Sequence, residues 1–91
     1  MSRYTKDPQA KLDYSVDWGS WLQPSETITA STWTVPDGIT QATPAPSFTT
    51  TEATIWLSGG TVGVYYAVVN HITTNQGRED DRTVHIHVAQ R

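Results

Sequence analysis

From Lys11 to Trp18 the chain reads KLDYSVDW, with Leu12, Tyr14, Val16 and Trp18 alternating against Asp13, Ser15 and Asp17. A period of two places apolar side chains on one face and polar ones on the other, as in a half-buried β-strand. The pattern recurs in EATIWLSGG, which turns Ala53, Ile55 and Leu57 inward and Thr54 and Trp56 outward. In VYYAVVNHITT the inward set is Tyr66, Val68, Asn70 and Ile72, and in RTVHIHVAQR it is Val84, Ile86 and Val88. In TITASTWTV the apolar positions change parity between Ala30 and Trp33. One extra residue near Ser31 and Thr32, a β-bulge, would reconcile the two halves.

The intervening segments are rich in chain breakers. GSWLQPSE is a corner in which Trp21 and Leu22 fold back as an apolar plug, and Pro36–Gly38 (PDG) is a turn, because proline fixes φ and glycine accepts positive φ. A short strand, ITQA, follows. The prolines of TPAPSFTTT confine that stretch to an edge or a surface loop. Residues 1 to 10, containing KDPQ, read as a flexible N-terminal arm, and residues 11 to 91 as one domain. No segment has a 3.6-residue period, and turn signals recur at the spacing of all-β domains, which predicts a single antiparallel β-sandwich of about seven strands. LSGGTVGVYY sets a Leu and a Gly-rich corner before a Tyr at the start of the penultimate strand. That arrangement resembles immunoglobulin and fibronectin type III domains, in which a tyrosine hydroxyl ties the corner to upstream backbone. Tyr66 is assigned that role, with Tyr65 second.

Composition narrows the function. Six basic and nine acidic residues give a net charge of -3, without the positive footprint that nucleic-acid binding needs. The chain contains no cysteine, no run of 18 apolar residues and no secretory h-region, so neither a membrane nor export is expected. Four Trp and four Tyr suit a small core or an interface.

His71, His85 and His87 fall at outward strand positions, as does Trp56 unless its strand takes the reverse register and buries it, and these four are the candidate partner contacts. If the last hairpin turns around residues 76–79, His71 and His85 stand nearly opposite each other. No closed ligand set or general base accompanies the imidazoles, so no metal or other cofactor is assigned. REDDR, residues 78–82, lacks a calcium-loop pattern and reads as a self-compensating ion-pair loop of Arg78, Asp80, Asp81 and Arg82 that sets the hairpin register. Asp13 and Asp17, about 13 Å apart on one strand face, are too far apart for a glycosidase pair, and no G-x-S-x-G elbow is present. Asn70, inward and polar, must find hydrogen-bond partners on backbone near the PDG turn or on a neighbouring strand. No catalytic residues emerge. A docking protein is the first expectation. A carbohydrate-binding module using exposed Trp residues on a host glycan is the alternative, and a small metal enzyme on the histidine face is weaker still.

Four stretches, KDPQAKLDYSVDW, ITASTWTVPDGIT, TIWLSGGTVGVYY and VNHITTNQGREDDRT, resemble a family of small fiber-tail adaptor proteins of tailed bacteriophages and prophages. The resemblance spans nearly the whole chain. It implies a non-catalytic virion component with an immunoglobulin-like fold, assembled in the bacterial host cytoplasm. Its partners would be other tail proteins and further copies of itself. It carries over no site residues.

Overall fold

The computed structural model describes residues 2–90. The described residues form eight strands in two sheets and contain no helix. One sheet has the order β1 (Ser2–Lys6), β8 (Glu79–Val88), β7 (Tyr65–Thr74), β3 (Ile28–Thr34). In the other, β2 (Leu12–Asp17) lies on one side of β6 (Glu52–Gly59), and β4 (Ile39–Gln41) and the two-residue β5 (Ser47–Phe48) share its other side.

The alternation builds one interior. Tyr14, Val16, Ile39, Ile55 and Leu57 of the second sheet meet Ile28, Tyr66, Val68, Ile72, Val84, Ile86 and Val88 of the first, and Trp18 lies among them. All are buried. Burying one such side chain contributes about 1.5–3 kcal/mol, so the shared inner face of the two sheets dominates stability. Leu12 departs from its expected place, being 40 % exposed at the start of the β2 edge strand. Trp21 and Leu22 pack on the core as the plug, half-buried.

Several expectations are corrected. The described residues form eight strands rather than about seven, and they are not all antiparallel: β1 runs parallel to β8, pairing Arg3 with His85 and Thr5 with His87. Residues Ser2–Lys6, read from the sequence as part of an arm, are this strand. Its inward Lys6 broke the apolar alternation, yet Lys6 is fully buried, its Nζ donating to the Gly59 carbonyl at 2.6 Å and the Asp7 carbonyl at 2.9 Å. Burial lowers its pKa, and the neighbouring Asp7 opposes part of that fall. The bulge lies between Ile28 and Ala30 rather than at Ser31–Thr32. Parity has therefore already switched at Ala30, which is exposed, whereas Ser31 and Trp33 turn inward opposite Ile72 and Asn70.

The β7–β8 turn also sits earlier than expected. Gly77 takes φ 80°, its N–H donates to the Thr74 carbonyl, and the Thr74 N–H donates to the Arg78 carbonyl. Any shift of a hairpin's centre moves each cross-strand partner by twice as much. His71 is consequently opposite Asp81 and His85 opposite Ala67, so the two histidines are not partners.

Candidate functional site

The outer face of the β1-β8-β7-β3 sheet carries the chemistry, and strand register lays it out in rows. Thr5, His87 and Tyr65 form one row, and Arg3, His85 and Ala67 the next. Thr83, Val69 and Thr34 follow, then Asp81, His71 and Thr32. The rows run from a basic and aromatic end through a small, uncharged middle to an acidic end.

At the acidic end the His71 ring is held on both sides. Its Nδ1 is 2.6 Å from Asp81 Oδ1 and its Nε2 is 2.8 Å from Glu79 Oε1. A carboxylate at each ring nitrogen favours the doubly protonated imidazole. Its pKa is raised above 6.5 by the hydrogen bonds to Glu79 and then Asp81. Both nitrogens are thereby occupied, and among the described residues no cluster of three or more His, Cys, Asp or Glu is placed to hold a metal ion.

At the other end the Tyr65 ring, 73 % exposed, stacks on His87 with centroids 4.2 Å apart and planes 9° from parallel. Together with Arg3, Tyr4, Thr5 and His85 they line an open hollow of about 350 Å³. Val62 and Val64, in the loop leading to Tyr65, are 52 % and 39 % exposed and add apolar surface at the same end of β7. Trp56 is elsewhere. It faces outward from the second sheet, opposite Asp13 and half-buried, so the four candidate contacts divide between opposite outer faces of the molecule.

Among the described residues no salt bridge forms within REDDR, where only the charge of Asp80 acts favourably on Arg78. Alternation along β8 turns Glu79 and Asp81 toward His71 and sends Arg82 to the other side, where its guanidinium lies 4.4 Å from the Trp18 ring centroid and donates to the Asp17 carbonyl. Arg78 donates through Nε and Nη2 to both oxygens of Glu26, at 2.9 and 2.5 Å, and stacks 4.0 Å over Trp21. Asp80 Oδ1 instead accepts from the Asp81 N–H at 2.8 Å.

Glu26 drew no attention in the sequence because its side-chain partners, Arg78 and Thr74, are 52 and 48 residues away, although the Gln23 N–H also donates to it at 2.8 Å. It is 4 % exposed, and the Arg78 hydrogen bonds hold its pKa down to about 2 against the opposing effect of burial. This pair fastens the Trp21 plug. Asn70, also fully buried, accepts from Trp18 Nε1 at 2.9 Å and donates to Ser31 Oγ at 2.9 Å and the Thr32 carbonyl at 3.1 Å. The Tyr66 hydroxyl accepts from the Thr61 N–H at 2.9 Å across the Gly-rich corner. Arg3, Tyr65, Val62 and Val64 were also missed as site residues. The one local signal was a pair of valines inside a glycine-rich turn, where apolar side chains have no structural need to be.

Residues 6–87 match the family described as podophage GP4 fiber-tail adaptor protein gp77. The chain belongs to that family. The match takes in most of β8, all of β2 to β7, and the Tyr65, His71 and His85 positions of the outer face. A comparison with the curated proteins finds no match. As a member of the gp77 family the chain is a bacteriophage tail protein of the fiber-tail adaptor kind.

Proposed function

We propose that this gp77-family chain is a non-catalytic adaptor that joins tail and fiber components of a virion through protein–protein contacts. Its two sheets would be arranged as an immunoglobulin-like sandwich, assembled in the host cytoplasm. The observation that carries this reading is the exposed apolar and aromatic end formed by Val62, Val64 and Tyr65, continuous with the partly buried His85 and His87. Exposed aromatic surface of this kind marks interfaces, where a large rigid side chain buries area at small entropic cost. Several copies around one tail would raise individually weak contacts into a stable joint.

The test is co-expression with the tail and fiber proteins of the same virion, followed by size-exclusion chromatography with light scattering. A complex is expected with the unaltered chain and its loss with Val62→Asp plus Tyr65→Asp. A chain that elutes alone in the presence of both partners would overturn the reading.

A further inference from the structure

Cations are scarce in this molecule, and most are used internally. Of the six Lys and Arg residues, five are described: Arg3, Lys6, Lys11, Arg78 and Arg82. Lys6 is buried on the Gly59 and Asp7 carbonyls, Arg78 is engaged by Glu26, and Arg82 lies on Trp18 and the Asp17 carbonyl. Lys11 is exposed before β2. Arg3 stands apart, exposed on the outer face beside His85, in a hollow whose lining includes no carboxylate. Asp7, two positions beyond Thr5 in sequence, accepts from the Gln9 N–H at 2.7 Å. Among the described residues no carboxylate makes an ion pair with Arg3.

The hollow also borders a sheet edge. β1 is the end strand of its sheet. The Lys6 carbonyl accepts from the Ala89 N–H, so the Lys6 backbone faces β8. Because backbone groups alternate sides along a strand, those of Arg3 face away from β8, toward the open edge. An extended chain laid there would pair its backbone with β1 and place alternate side chains over the hollow.

Resting on the adaptor reading and naming the chemistry of the partner, we infer that the Arg3 hollow seats an extended acidic segment of another tail or fiber protein. Its carboxylates meet Arg3 and the His87 side of the hollow, and an apolar side chain lies against Tyr65. The charge of the hollow selects an acidic occupant. A second copy of this chain is a poorer fit, because the acids it would offer from the same face, Glu79 and Asp81, already hold His71.

The probe is a synthetic ten-residue peptide alternating Glu and Val, compared by fluorescence anisotropy with Gln/Val and Lys/Val peptides of the same length. The Glu/Val peptide is expected to bind, and more weakly as salt rises. Arg3→Glu should weaken binding roughly tenfold or more, as loss of a charge-assisted contact does, while Lys11→Glu, an equal change of charge outside the hollow, leaves it unaltered. Thermal melts establish that Arg3→Glu folds; if it does not, the double variant His85→Gln/His87→Gln carries the same expected loss. Equal binding of the Gln/Val peptide, or indifference to these substitutions, overturns the inference. So does a concentration-dependent dimer that Arg3→Glu abolishes when no peptide binds. Capture of tail and fiber proteins that survives Arg3→Glu sinks this inference and leaves the adaptor reading standing. Absence of capture by the unaltered chain sinks the adaptor reading, and the peptide titration still decides the hollow.

Discussion

Asn70 shows what one polar residue does in an apolar interior. Three hydrogen bonds satisfy its amide, and one of them satisfies the indole N–H of buried Trp18. Asn70→Ala should therefore cost roughly 2–3 kcal/mol in urea unfolding, because it leaves a buried donor without a partner as well as removing contacts. Two titrating residues give opposite pH dependences. The folded pKa of Glu26 is depressed to about 2 from 4.5, so its contribution is present above 4.5 and is lost as pH falls toward 2. The folded pKa of His71 is raised, so its contribution is full below 6.5 and is lost as pH rises through the raised value. Urea midpoints measured across pH should show both slopes. Glu26→Gln should flatten the acid limb, and His71→Gln the limb above pH 6.5.

Between elements, the Gly59–Tyr65 corner is held by close fit. Gly60 has φ 99°, and a Cβ there would lie 2.6 Å from Val88 Cγ2. Gly60→Ala therefore combines backbone strain with a clash and should cost at least about 1 kcal/mol by thermal denaturation. Tyr66→Phe, which removes only the hydroxyl that accepts from the Thr61 N–H, should cost about 1 kcal/mol in the same measurement. The strands β2, β6, β7 and β8 were legible because their inward positions alternate without interruption. β1 was not, because its inward positions are a partly exposed Tyr4 and a buried Lys6, and the carbonyl of Gly59 that holds the lysine lies 53 residues away.

For the molecule as a whole, one interior joins both sheets, so unfolding should be a single cooperative transition, with fluorescence and circular dichroism giving coincident curves. The outer surfaces differ from each other. The β1-β8-β7-β3 face is polarised from Arg3 and His87 to Glu79, whereas Trp56 stands half-buried on the opposite sheet. Alternation along the chain determined by itself that this is an all-β protein, which side chains of β6, β7 and β8 enter the core, and that His71, His85 and His87 turn away from it. These are consequences of a two-residue period, a property of neighbours in sequence. Tertiary structure alone decided that Arg78 pairs with Glu26 rather than with the adjacent acids. It also decided that His71 is gripped by Glu79 and Asp81, and that the first strand lies parallel to the last and brings Arg3 to His85. Each of those depends on register between distant segments, where a shift of one residue reverses every face and no local pattern records the choice.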